Sequence, residues 1–550
     1  MPSSIYEAVL AITRIVLPCL SLLLVLLWVG LFASQKPRKK TLARFVPLQG
    51  LPLTLTSAEG VLGCKKHCDL YLPRPTIAKK HALFFQQEEK WLLTPLGGGV
   101  HVNEKPVTKT VSLLDGDVVA FGDEEFTFEC NGLEREEVES TTPAKGGFPL
   151  FCLTLFQGAM ALQLCLRYQD SFSIFLPLAF GVLMVGQWVY YLVEASRGKT
   201  TMLWELPVLY LTTLGFAVCA CSVPETLPKQ LFCALGGVVG CGLLRLLLKY
   251  QHLCFHLRYL LAGGSVALLW FTVLFGITTY GSTNWLAIGG FSFQPSEFAK
   301  IAFLTVGSCC LPVALTKGGN RWFFMAYAGL TMGALVCMVD FGAIAIFFVT
   351  MILLLMMRLT NTSLVGGMVL AAVAGGALAL TLFPHIATRF SAWLHVWEMA
   401  STAGYQQTRT LISMASGGLL GVGGGNGTLL SVAAADTDLV FGVLCEEWGQ
   451  LIGLCAALCF VALALTALRL SKTAPSTFQA MGVCGAAVMM VFQTALNLFG
   501  STDILPLTGV TMMFVSRGGS SLMAAFWLTA FFKAAQDTPK PLETERRRYY

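Results

Sequence analysis

The chain has 550 residues, of which 55% are hydrophobic and 12% charged, where an ordinary soluble domain carries roughly 25% charged residues. Together with a mean hydropathy of +0.68, this excludes a soluble globular protein and predicts one that crosses a membrane many times. The net charge of +6 calls for no nucleic-acid partner, because the cations cluster at the ends of apolar runs.

The first apolar run, 5–33, is followed by Lys36, Arg38, Lys39, Lys40 and Arg44. A cationic cluster after the run predicts an anchor that enters from outside rather than a cleaved signal peptide. Residues 1–40 are therefore expected to form an anchor with a basic stop. Residues 41–147 are polar and rich in strand and turn signals: Leu53 to Thr56 and Glu125 to Glu129 alternate, and Gly97-Gly98-Gly99 and Asp115-Gly116-Asp117 punctuate. They predict a small β-sandwich. Cys64-Lys65-Lys66-His67-Cys68 has the look of half a metal site, but no second ligand pair follows, so no metal site is expected. The other cysteines mostly fall singly in apolar segments, as small hydrophobes.

The order of signals in this insert resembles a forkhead-associated (FHA) domain. Gly63 matches its first-loop glycine, His81 its buried histidine and 113–122 its closing Leu-x-x-Gly-Asp-x-x-x-x-Gly element. The resemblance implies phosphothreonine recognition, with Lys65, Lys79, Lys80 and His81 as the candidate phosphopeptide residues. Cys64 stands where the family has arginine and Ala78 where it has serine, and phosphate recognition relies on such donors. A degenerate module docking a cytoplasmic protein is the reading these departures favour.

Runs long enough to span, about 20 residues, follow at 148–166, 172–193, 203–221, 227–248, 261–280, 298–315, 322–339, 341–357, 364–383, 440–468, 478–499 and 505–532. With the first run, about 13 spans are expected. Counting from the first, Arg197/Lys199, Lys249/Arg258, Lys317/Arg321, Arg358, Arg469/Lys472 and Arg546-Arg547-Arg548 fall inside, while Arg167, Lys229, Arg389 and Arg409 fall outside. The N-terminus is then outside, the sandwich and the C-terminus are cytoplasmic, and a large loop at 384–439 is extracellular.

Several strings place polar groups where hydrocarbon makes them expensive. Glu297 and Lys300 follow Pro295 at helical i,i+3 spacing, close enough to pair. Asp340-Phe341-Gly342 sets an acid at a turn. Gln406 and Arg409 precede a glycine run, 417–425, whose permissive backbone suits a re-entrant or interfacial loop. Asp436 and Asp438 stand at the lip of the 440–468 run, with Glu446 and Glu447 just within it. Asn497 leads to the final run, which carries Ser516, Arg517, Ser520 and Ser521.

These strings, in this order, resemble the SEDS family of cell-wall proteins, the FtsW/RodA/SpoVE group. The resemblance implies a polytopic α-helical membrane protein with a core of ten helices plus accessory spans, carrying here the small cytoplasmic FHA-like sandwich. It divides the rest of the chain into accessory helices at 148–226, a core at 227–535 and a cytoplasmic basic tail at 536–550. It further implies a peptidoglycan glycosyltransferase that polymerises lipid II, drawing on undecaprenyl-pyrophosphate-linked glycan, beside a class B penicillin-binding protein. Asp438 is the residue matching the family's essential aspartate. Glu297, Lys300, Asp340, Gln406, Arg409, Glu447, Ser516, Arg517, Ser520 and Ser521 are the expected substrate-binding residues. Asp436 stands where the family has His, and Arg517 where it has Tyr. No cofactor is assigned, although a divalent cation at the pyrophosphate would suit the chemistry. A lipid II flippase and a catalytically inactive scaffold are the alternative readings.

Overall fold

The computed structural model describes residues 3–35, 41–48, 50–56, 59–66, 68–87, 90–130, 146–169, 173–198, 201–279, 281–289, 291–313, 318–358, 362–474 and 476–536. Lys36, Arg38, Lys39, Lys40, His67, Lys199, Lys317, Arg546, Arg547 and Arg548 lie outside them, as does the expected tail beyond Gln536.

After α1 (Ser3–Ser34) come eleven strands: β1 (Ala43–Pro47), β2 (Leu53–Leu55), β3 (Glu59–Gly63), β4 (Leu70–Tyr71), β5 (Ala82–Gln87), β6 (Lys90–Pro95), β7 (Val100–Val102), β8 (Lys105–Pro106), β9 (Val111–Leu113), β10 (Val118–Phe121) and β11 (Glu124–Glu129). They form a six-stranded sheet, β2-β1-β11-β10-β7-β8, and a five-stranded sheet, β4-β3-β5-β6-β9. Alternation along the strands turns Phe45, Phe84, Phe121 and Phe128 inward, where all four are fully buried. Phe45 stands opposite Phe128 in the β1–β11 register, and these rings form the core between the sheets.

The remaining helices are α2 (Gly147–Arg167), α3 (Phe175–Ser196), α4 (Glu205–Ser222), α5 (Leu227–Lys249), α6 (Gln251–Phe275), α7 (Pro295–Val313), α8 (Gly318–Cys337), α9 (Phe341–Met356), α10 (Thr362–Leu382), α11 (Pro384–Ala392), α12 (Tyr405–Gly417), α13 (Val440–Trp448), α14 (Gln450–Thr473), α15 (Thr477–Ser501) and α16 (Gly519–Gln536). Among the described residues, nine helices are long and apolar enough to cross a membrane. The chain is thus a multi-pass membrane protein with an FHA-like sandwich.

Four regions differ from the linear reading. The expected span 440–468 is two helices, because Gly449 breaks it at φ +94. There the backbone of the glycine run crosses so closely that a Cβ on Gly449 would lie 2.3 Å from the Leu419 carbonyl. The expected span 505–532 is helical only from Gly519. Its first part stays irregular because the amides of Gln493 and Asn497 on α15 satisfy its backbone: Gln493 Nε2 donates to Thr511 O at 3.0 Å and Asn497 Nδ2 to Val510 O at 2.7 Å. The expected loop 384–439 contains α11 and α12. Between α6 and α7, the chain forms a small sheet of β12 (Ile277–Thr279), β13 (Ser282–Ile288) and β14 (Phe291–Phe293).

Asp340 caps the start of α9 and Arg358 lies just beyond its end, so these residues mark opposite ends of the bundle. At the Arg358 end the sandwich docks, Arg358 Nη1 pairing with Glu59 Oε2 of β3. At the Asp340 end, Gly342 packs against Val510.

Candidate active site

The turn before α13 carries the two acids in different settings. Ala434 has φ +60, and its carbonyl accepts from the N–H groups of Thr437 (3.2 Å) and Asp438 (2.9 Å). Asn497 Nδ2 donates to the Asp438 carbonyl at 2.9 Å, and Ser516 Oγ to the Thr437 carbonyl at 2.7 Å. Two elements distant in sequence, α15 and the 505–518 segment, thereby hold the turn from behind. This leaves the Asp438 side chain facing Gly509 and Arg389. A Cβ on Gly509, which has φ +72, would lie 3.3 Å from Asp438 Oδ2 and 3.5 Å from Arg389 Nη1. Arg389, on α11, is anchored by its bond to the Leu507 carbonyl at 3.2 Å.

The Asp438 carboxyl is half-buried. Desolvation pushes its pKa above the ordinary carboxylate value; the Thr437 hydrogen bond and the Arg389 charge oppose that rise, and Asp436 adds to it. A carboxylate whose proton affinity is raised is chemically able to accept a proton, and here a cation stands beside it.

Asp436 points the other way. Its Oδ2 accepts from Ser222 Oγ and from Arg517 Nε, while the Arg517 backbone N–H donates to its carbonyl at 2.9 Å. Arg517 is therefore tied to an acid, with its own side chain partly exposed. Arg409 is exposed and lies over the Tyr405 ring at 5.3 Å. Gln406 Nε2 bonds the Ala433 carbonyl at 2.9 Å, just ahead of the turn.

Glu297 and Lys300 form a buried pair at 2.7 Å. Lys300 also donates to Gln493 Oε1 at 2.5 Å, and Gln493 passes the connection to Thr511, whose hydroxyl meets Ser521 at 2.8 Å. Asp340 Oδ1 caps α9 through Ala343 N–H at 2.9 Å, and its Oδ2 accepts from Gln294 at 3.4 Å. These residues knit α7, α9, α15 and the 505–518 segment together. Ser516 is likewise used on the backbone, accepting from Met512 N–H at 2.8 Å. Ser520 is buried at the start of α16.

Glu447 is fully buried and points into the glycine run. It accepts from Gly427 N–H at 3.2 Å and from Gly425 N–H. Glu446 takes Thr428 N–H and Leu429 N–H, both at 2.9 Å. The loop backbone has no strand or helix of its own to bond with, and these carboxylates supply the acceptors.

In the sandwich, buried His81 accepts from Ala78 N–H at 3.1 Å and reaches the Gly99 carbonyl at 3.1 Å. It fastens two loops from inside. Lys65, Lys79 and Lys80 are exposed beside it.

Sequence reasoning names Asn497 but not Gln493 or Ser222. A signal exists for the amides: Gln493 and Asn497 stand four apart on one face of a largely apolar helix.

A bundle of apolar helices with an acid-centred polar site at one end and a docked sandwich at the other defines a class of membrane-embedded protein. Residues 222–538 match the FtsW/RodA/SpoVE model, described as cell cycle protein, and residues 60–122 match the FHA domain. The chain belongs to the FtsW/RodA/SpoVE family. It is 30% identical over 285 residues to the peptidoglycan glycosyltransferase RodA of Mycobacterium tuberculosis, covering 48% of this chain and 60% of that protein. It is 32% identical over 303 residues to the probable peptidoglycan glycosyltransferase FtsW of Nitrosococcus halophilus, covering 53% and 78%. The chain thus spans 60% of the length of the mycobacterial relative. A crystal structure of Thermus thermophilus rod shape determining protein RodA aligns with a TM-score of 0.45 at 23% identity, over 62% of this chain and 97% of that one.

Proposed function

We propose that this protein is a peptidoglycan glycosyltransferase that polymerises lipid II into glycan strands at the outer face of the bacterial cytoplasmic membrane. Family membership and the names of its relatives supply the reaction class. The observation that carries the residue assignment is Asp438, half-buried, facing Arg389 across Gly509. In this reading the Asp438 carboxylate takes the proton from the 4-hydroxyl of the incoming disaccharide. That oxygen bonds to the anomeric carbon of the growing strand, and the bond from that carbon to the lipid pyrophosphate breaks, its electron pair leaving on the pyrophosphate. Arg389 is placed to stabilise the departing charge.

The orientation that fits this reading puts the Asp438 end and the N-terminus outside, with the sandwich and C-terminus in the cytoplasm. A class B penicillin-binding protein is the proposed outer partner, and a cytoplasmic protein the proposed ligand of the sandwich. The deciding experiment is lipid II polymerisation by purified protein, with and without a co-purified transpeptidase. Glycan product from wild type and none from Asp438→Asn supports the reading. Lipid II transport without product points to a flippase, and partner binding with neither activity points to a scaffold; either result overturns it.

A further inference from the structure

Helices α1 and α2 lie outside the segment that matches the family, and the proposed reaction does not call on them. Their side chains nevertheless converge on the glycine run held by Glu446 and Glu447. Gln163 of α2 is 1% exposed. Its Oε1 accepts from Trp448 Nε1 at 3.1 Å, and its Nε2 donates to Thr13 Oγ1 of α1 at 3.0 Å. Trp448 directly follows Glu447. One turn beyond Gln163, Arg167 Nε donates to the Gly425 carbonyl at 3.2 Å, and Asn426 Nδ2 donates to the Tyr6 hydroxyl of α1 at 2.8 Å.

The glycines themselves record the same fit. A Cβ on Gly423 would lie 2.2 Å from Leu10, one on Gly424 2.9 Å from Leu164, and one on Gly425 2.7 Å from the Tyr168 hydroxyl. Side chains of α1 and α2 occupy the space that loop side chains would need. A buried amide inside an apolar helix is costly unless both its donor and its acceptor are used. Gln163 uses both, one toward each neighbour.

We propose that α1 and α2 form a built-in clamp on the 423–429 loop, with Gln163 as a positioning residue that seats Trp448 and, through the loop, the turn bearing Asp438. The catalytic consequence rests on the polymerase reading; the clamp itself does not.

The test uses full-length protein in lipid nanodiscs and two readouts: amide hydrogen exchange, and initial rates of lipid II polymerisation. Gln163→Met keeps the length of the side chain and removes both hydrogen bonds. Exchange across 423–429 should rise at least about tenfold, the scale of one of the two buried hydrogen bonds removed, with α1 and α2 still protected. The same variant should lower kcat and leave KM unchanged. Tyr6→Phe removes a single hydroxyl and should produce a smaller rise confined to the same loop, which keeps the test decisive if Gln163→Met does not fold. Unchanged exchange across 423–429, or an equal rise throughout α1 and α2, would mean simple helix packing and overturn the clamp. If wild type makes no glycan, the polymerase reading fails, while the exchange result still decides the clamp.

Discussion

Asp436 and Arg517 are joined twice, side chain to side chain and again through the Arg517 backbone N–H to the Asp436 carbonyl at 2.9 Å. Each departs from the motif of the family the chain resembles, acid for histidine and arginine for tyrosine. The two departures meet in space, so each accounts for the other: an acid with a side chain 10% exposed needs a cation. Arg517→Met should destabilise the protein by about 1–3 kcal/mol, between a surface and a buried pair, because the arginine side of the contact is partly solvated. The double variant with Asp436→Asn should lose less than the two single losses combined. Thermal unfolding of all four proteins checks this, and strictly additive losses would refute the coupling.

Asp438 should separate stability from activity. Burial raises its pKa in the folded protein, so the folded state holds the proton more tightly than the unfolded chain. That contribution to stability is complete below the unfolded-state pKa and is lost as pH rises through the folded pKa. Catalysis runs the opposite way, since the base must be ionised. Polymerisation should therefore rise with pH along a limb displaced above the usual carboxylate range. Asp438→Asn should abolish polymerisation with a Tm at neutral pH equal to or above that of wild type. A variant that polymerises normally, or that unfolds several degrees earlier, contradicts this assignment.

The charged positions of this site stand out in the sequence because charge in an apolar run is rare and costly; Glu297, Lys300 and Asp438 are legible for that reason. The uncharged groups are harder to read: the spacing of Gln493 and Asn497 is a signal, but only the tertiary fold shows that Gln493 meets Lys300, Ser222 meets Asp436 and Gln163 meets Trp448. The same holds for backbone form. Residues 505–518 are as apolar as a helix, and their irregular path exists because Gln493 and Asn497 satisfy the backbone from α15 and Ser516 from within the segment. The break at Gly449 likewise follows from the close crossing of the glycine run. That Arg517 has an acid beside it is also visible only in the fold.

Asn497 is the residue through which α15 reaches both the Asp438 turn and the 505–518 segment, with bonds to the Asp438 and Val510 carbonyls. Asn497→Leu preserves approximate volume and leaves those acceptors unmatched. A loss of about 1–3 kcal/mol in stability is expected for such buried groups. Because the turn also loses its alignment, kcat should fall by more than the remaining folded fraction explains. Rates normalised to folded protein make the comparison, and a normalised rate equal to wild type would confine Asn497 to a stabilising role.

The last prediction concerns the other end of the bundle. Strand β3 begins at Glu59, which pairs with Arg358, and ends at Gly63, beside the Lys79 carbonyl and Cys68. The docking end and the end bearing Lys65, Lys79 and Lys80 are thus about 13 Å apart along the strand. Docking to the bundle leaves the lysine-bearing loops exposed. Glu59→Gln removes the charge that Arg358, with a side chain 2% exposed, relies on, and an uncompensated buried cation is costly. Hydrogen exchange in β3 should rise as the sandwich loosens from α9, with the sandwich's own core around Phe45 and Phe128 still protected. Exchange in β3 equal to wild type would show that the pair does not hold the two parts together.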